Sequence, residues 1–223
     1  MIELNGSKIR ENAELEKNHL YNVEESRVLQ HEEKQDDGTK DIVQLNFQFK
    51  EDEKGLYGKE WHPGFLKAKN CKAADILALV YNTSKKRVTT YLWDVKRTIG
   101  GEDVILNLVK QLQTSYLHKN SMLMYLENFV ESVHMGVITA EFDEERIKKA
   151  IEKKQNKEDK SGLVAPMLGG KVKKMELDEK AKITILEDFL QRRINIKNKL
   201  HPLEVHIMEP VGNDYIIELP IQL

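Results

Sequence analysis

The chain has 223 residues, of which 40% are hydrophobic and 32% charged, and its formal net charge is −2. That is enough chain and enough apolar content for one generous domain, or a domain with a small appendage, and it excludes global disorder. A net charge so near zero also excludes nucleic-acid binding driven by bulk charge. The charge is uneven, however: residues 1–60 carry 15 acidic and 9 basic side chains, whereas residues 146–199 carry 16 basic and 8 acidic.

The lone cysteine, Cys71, permits no intrachain disulfide, which suits a reducing compartment. No apolar run approaches the roughly 18 residues of a membrane span, and the first residues lack the apolar stretch of a signal peptide. A soluble, cytoplasmic protein is the expectation.

Residues 8–21 carry a weak helical stripe of Ile9, Ala13, Leu15 and Leu20 among charges. A turn signal at residues 35–40 precedes the alternating segment 42–49. There Val43, Leu45, Phe47 and Phe49 face one way, as in a half-buried strand. EDEKG reads as a turn, and GLYGKEWHPGF, rich in glycine and aromatics, as an ordered loop. ILALVY, residues 76–81, is a continuous apolar run and predicts a strand buried on both faces. NTSKK turns the chain into VTTYLWDVK, residues 88–96, whose β-branched and aromatic content predicts the second strand of a hairpin.

Gly100 and Gly101 end that strand. Glu102 and Asp103 then open a long helix, with Val104, Leu108, Leu112, Tyr116, Met122, Leu126 and Val130 as its apolar stripe. GVITAEF is a short strand or a connector. Asp143 is placed to N-cap a helix that decays into a charged linker. KVKKMEL reads as a short strand and residues 179–200 as a helix. LEVHIM and YIIELPI form a second hairpin across the Gly212-Asn213-Asp214 turn. The expected organisation is a core over residues 1–150, a linker over 151–170, and a helix-plus-hairpin extension over 171–223.

The chemistry concentrates at Asp75, Asp94 and Lys96. The string acid-x-Lys occurs six times in the chain, but only Asp94-Val95-Lys96 closes an apolar β-run. Alternation along a strand puts Asp94 and Lys96 on one face. Pairing Val80 near Val88 brings Asp75 beside Trp93 and Asp94. Two neighbouring carboxylates suit Mg²⁺, a hard cation that takes oxygen ligands. A metal there would polarise a phosphate oxygen and acidify a water. Lys96 would position that water or steady developing negative charge.

These residues resemble the PD-(D/E)xK nuclease superfamily, the restriction-endonuclease-like group. Its core sets an acid at the start of one strand and acid-x-Lys on the next, with a helix packed beside the sheet. The resemblance spans residues 42–125. It implies an α/β fold with a mixed sheet flanked by helices. It also implies a Mg²⁺-dependent endonuclease, for which Mn²⁺ can substitute, with Asp75 and Asp94 as metal ligands and Lys96 as the catalytic lysine.

Some branches of the superfamily carry a glutamine on the helix. Gln111 or Gln113 matches it, with Gln111 preferred, and Glu14 or Glu16 matches an acid on an early helix. DNA is the substrate the resemblance favours, in host defence or restriction, with a homodimer or a partner subunit. The alternative is an inactive nuclease-like subunit that binds protein or nucleic acid. A third reading makes the basic C-terminal half a nucleic-acid-binding module. Arg97 and His62 are expected at substrate phosphates. The other histidines show no zinc spacing.

Overall fold

The computed structural model describes residues 20–59, 73–123, 129–161 and 171–223. The segment read as an early helix, with Glu14 and Glu16, the segment holding His62 and Cys71, Leu126, and the whole of APMLGG lie outside the described residues. In chain order the elements are β1 (Leu20–Val23), β2 (Arg27–Lys34), β3 (Lys40–Phe47), β4 (Glu53–Lys59), β5 (Ile76–Asn82), β6 (Arg87–Val95) and β7 (Thr98–Ile99). Then follow α1 (Glu102–Leu123), β8 (Val130–Thr139), β9 (Glu141–Phe142), α2 (Glu144–Ser161) and α3 (Lys171–Leu190). The chain finishes with β10 (Arg193–Ile196), β11 (Lys199–Pro202), β12 (Glu204–Ile207), β13 (Glu209–Val211) and β14 (Asp214–Ile221).

The expectation of a mixed α/β fold holds. The main sheet has six strands in the order β1-β4-β5-β6-β8-β12. Its first four strands are antiparallel neighbours, while β8 runs parallel to β6 and β12 parallel to β8. A four-stranded sheet, β13-β14-β3-β2, packs on one face. Helices cover the other. One core, with Val43, Leu45, Phe47, Ile76, Val80 and Trp93, joins the two sheets. The second, with Leu77, Leu92, Leu108, Leu112, Leu186 and Phe189, lies between the main sheet and the helices. Every residue of β5 is buried, as its unbroken apolar run predicts for a strand covered on both faces.

Several segments depart from the sequence reading. GLYGKEW begins as β4, a strand with glycines in its interior. A side chain at Gly55 would stand 2.8 Å from Phe49 Cζ and 3.0 Å from Phe47 Cε1, so glycine admits the second sheet's aromatic pair. Val130 opens β8 and is 68% exposed, so it belongs to no helical stripe. Asp143 does N-cap α2, its Oδ1 accepting the Arg146 amide at 2.9 Å. That helix then runs on to Ser161, through residues read as linker.

KVKKMEL is helical within α3, which ends at Leu190 rather than near residue 200. The chain then makes the β10–β11 hairpin, whose loop residues Lys197 and Asn198 both have positive φ, 51° and 64°. This is the handedness that tight hairpins require. LEVHIM does not pair with YIIELPI. It becomes β12 in the main sheet, and β13 supplies the hairpin partner of β14 instead. The C-terminal segment, expected as an extension, thus contributes strands to both sheets. Among the described residues no helix is long and apolar enough to cross a membrane.

Candidate functional site

The β5–β6 pair is the expected hairpin, one residue out of the expected register. Val80 faces Thr89, and Ile76 faces Trp93. Carried one step further, this register sets Asp75 opposite Asp94, a closer juxtaposition than the sequence reading gave. Both acids share the face of Leu77 and Leu92, which is the helix side of the sheet. Asp75 lies just before β5, and Asp94 is the penultimate residue of β6. Lys96 follows at once, its backbone held by a 2.9 Å bond from its amide to Ile138 O on β8.

The three side chains meet. Lys96 Nζ lies 3.2 Å from Asp75 Oδ2 and is ion-paired to Asp94 Oδ1. The same ammonium donates to Val95 O at 2.9 Å. Asp75 Oδ2 also accepts the Val95 amide at 2.8 Å, so this carboxylate closes the β5–β6 ladder where main-chain pairing stops. Asp94 is fully buried and Asp75 is 5% exposed. The Lys96 side chain, 30% exposed, is the part of the triad that faces water.

Burial pushes the Asp94 carboxyl up to about 8, and the neighbouring Asp75 adds to the rise, while Lys96 opposes it. For Lys96, burial works against the charge, but Asp94 and Asp75 outweigh it and hold the ammonium above its ordinary range. Two acids thus share one ammonium. Asp94 Oδ2 is buried and meets no donor among the described residues, and the Asp75 carboxyl is the acid beside it. A buried oxygen without a donor is costly, and a second cation would satisfy it. The residues therefore fit a Mg²⁺ or Mn²⁺ ion held through Asp75 and Asp94. Magnesium commonly uses one or two protein carboxylates and leaves its other positions to water and substrate phosphates. Among the described residues no group of three or more His, Cys, Asp and Glu forms a larger metal cluster.

Helix α1 fixes the chain that presents Asp75. Gln111 Nε2 donates to Ala73 O at 3.2 Å, and Ser115 Oγ accepts the Ala74 amide at 2.7 Å. Gln113 instead donates to Asn195 O at 2.7 Å and ties α1 to β10. The structure therefore separates the two glutamines and brings Gln111 to the site.

Arg97 is not brought to the acids. One residue past Lys96, it points to the opposite face. There its Nε lies 2.8 Å from Asp41 Oδ1, its Nη2 donates to Thr39 Oγ1 at 2.6 Å, and its guanidinium stacks 4.3 Å over Tyr215. Its expected contact was a substrate phosphate; in the structure Asp41, Thr39 and Tyr215 take up the guanidinium. His62 lies outside the described residues.

Sequence reasoning missed two residues. Ser115 is one; its signal was a polar stripe, Gln111, Ser115 and Lys119, at a spacing of four on a helix face that is buried. The other is His31 on β2, 1% exposed. Burial lowers its pKa to about 4, with Asp75 raising it and Lys59 and Lys96 lowering it further. Its Nδ1 lies 3.1 Å from Tyr57 Oη. An isolated histidine in an alternating strand carries no signal of that placement. No family model, curated protein or solved structure matches the chain.

Proposed function

We propose that the chain is a metal-dependent nuclease of the PD-(D/E)xK type, with a restriction-endonuclease-like core formed by β4, β5, β6, α1 and β8. The observation that carries this reading is the triad itself. An acid before one strand stands opposite an acid-x-Lys at the end of the next, with one ammonium touching both carboxylates and a helix packed on the same face.

In this reading Asp75 and Asp94 hold Mg²⁺, or Mn²⁺ in its place. The ion supplies polarisation of the scissile phosphate and a water of lowered pKa. Lys96 acts as a charged donor rather than a base, because its two carboxylates keep its proton on Nζ. From the exposed side of the site it orients the attacking water and steadies charge growing on phosphate oxygens. Gln111 keeps the Ala73 carbonyl, and with it Asp75, against α1. DNA as substrate, a defence or restriction role and a homodimer or partner subunit rest on the family resemblance alone, and a cytoplasmic setting rests on the lone cysteine.

The test is cleavage of end-labelled DNA with Mg²⁺ or Mn²⁺ by the wild type and by Lys96→Ala. Divalent-dependent cleavage by the wild type, lost in the variant, supports the reading. Equal cleavage by both removes Lys96 from the mechanism. Absence of cleavage by both, across DNA and RNA substrates, counts against an enzyme. It favours the second reading, an inactive subunit, to which the burial of both acids beneath the Lys96 ion pair is also suited.

A further inference from the structure

We infer that Ser115 is a positioning residue for the acid–lysine site, acting through the Ala74 peptide on the Asp75 carboxylate. The inference rests on the nuclease reading for its functional consequence but not for its geometry. Asp75 precedes β5, so no ladder bond of that strand fixes its backbone. Its carboxylate is fastened by the Val95 amide and Lys96, which leaves the backbone ahead of it to be restrained.

The structure supplies that restraint from α1. The Ser115 hydroxyl, on a residue 5% exposed, accepts the Ala74 amide at 2.7 Å. Gln111, one turn earlier and 8% exposed, holds the preceding carbonyl. These two bonds grip both sides of one peptide neighbourhood, immediately ahead of Asp75. The helix cannot easily shift to relax the grip, because Lys119, the next member of the stripe, is fully buried. It is ion-paired to Glu131 on β8 and lies 4.5 Å over the Tyr116 ring. Asp75 thus inherits its position from a segment bonded to α1 at two successive turns, while at the next turn Lys119 ties the helix to β8. Serine suits the place because its oxygen reaches an amide that alanine would leave buried and unpaired. A hydroxyl in this stripe also cannot be explained as apolar packing.

The functional consequence follows from geometry. A ligand misplaced by about 1 Å can cost on the order of 10²-fold in rate. Loss of the Ser115 bond lets the segment ahead of Asp75 move, and Oδ2 then leaves both the Val95 amide and Lys96.

The test uses the full chain as wild type, Ser115→Ala and Ser115→Thr, with Ser115→Cys in place of the alanine variant should that not fold. Two readouts are taken. Amide hydrogen exchange at Val95, whose N–H is held by Asp75 Oδ2, reports the carboxylate's position without metal or substrate. Mn²⁺ binding, followed by electron paramagnetic resonance, reports the ligand pair. Exchange at Val95 should quicken by about tenfold or more in Ser115→Ala, as expected when a stabilising contact of ordinary hydrogen-bond strength is lost. Exchange at Leu92 should stay as in the wild type. Mn²⁺ binding should weaken several-fold, and Ser115→Thr should restore both.

Unchanged exchange at Val95 in a folded Ser115→Ala or Ser115→Cys protein overturns the inference. Unchanged Mn²⁺ affinity beside altered exchange overturns its functional half. A wild type that neither binds Mn²⁺ nor cleaves, yet shows the Val95 effect, brings down the nuclease reading while leaving the Ser115 contact established.

Discussion

Lys96 and Arg97 are neighbours in sequence and opposites in design. Arg97 turns toward the second sheet, where one guanidinium meets one buried acid, Asp41, which also accepts Gln35 Nε2 at 2.5 Å. A threonine hydroxyl and the Tyr215 ring complete its shell. Lys96 instead meets two acids, Asp75 and Asp94, with one ammonium serving both. The contrast separates a cation that holds two sheets together from one that stands in an acid-rich site. Carboxyls pushed strongly upward by burial and a neighbouring acid, as Asp94 is, cluster at functional sites.

The strongest way to break this comparison is to remove each cation in turn. Lys96→Ala is expected to lower divalent-dependent cleavage by about 10²-fold or more, the scale set by a lost charge-stabilising donor. Arg97→Ala is expected to act on the fold, since it strands Asp41, which is fully buried. Breaking a buried pair from one side costs about 3 kcal/mol, read as a lower denaturation midpoint in urea. Activity per folded molecule should suffer far less than with Lys96→Ala. An Arg97→Ala protein of wild-type stability but without activity would return Arg97 to the substrate.

The excess of acid on the Lys96 side carries a pH signature. Asp94 has a folded-state pKa raised from 3.8 to about 8, so the native protein binds the proton more tightly than the unfolded chain. Stability from this group is greatest at acid pH and declines as pH rises from near 4 through 8. Asp94→Asn mimics the protonated acid. In buffer without divalent ions it should be more stable than wild type at pH 9, by on the order of 2 kcal/mol, with the gain fading toward pH 4. An equal effect at both ends of that range would mean that the asparagine acts through packing. Mn²⁺ should raise the wild-type midpoint by mass action and leave Asp94→Asn largely unmoved.

Much of this site was legible because its signals are local. The alternation of β3, the unbroken apolar run of β5 and the acid-x-Lys that ends β6 each declare themselves within a few residues. What escaped depends on residues far apart. β4 reads as a loop because of its glycines, and the reason for Gly55 is an aromatic pair from another sheet. LEVHIM pairs with β8, some seventy residues earlier, and no turn chemistry encodes that choice. Val80 pairs with Thr89 rather than its neighbour Val88, and that one-residue difference sets Asp75 opposite Asp94. The helical pattern read through to residue 200 stops at Leu190, where Arg192 takes a φ of 58°, because left-handed backbone rather than hydrophobicity breaks it. Ser115 was hidden by looking at α1 for its apolar residues when the informative ones were polar and buried.

His31 offers the finest test of the comparison, because it lies on β2 within electrostatic reach of Asp75 and Lys96 and is neutral by virtue of burial. Its pKa falls from 6.5 to about 4, with desolvation first among the causes and Asp75, Lys59 and Lys96 acting in opposed senses. The folded state therefore binds fewer protons than the unfolded chain between those values. Stability from this residue is fully present above 6.5 and is lost as pH falls through 4. The slope is opposite in sign to that of Asp94, so the two groups squeeze the fold from either side. His31→Gln should lower stability at pH 7 by about 1 kcal/mol through the weakened bond to Tyr57, and flatten the decline between pH 6.5 and 4. Removing Lys96 as well should leave that flattening intact if burial dominates. If the decline instead steepens or vanishes with Lys96→Ala alone, His31 is governed by the charge of the site above it, and the two faces of the main sheet are electrostatically one region.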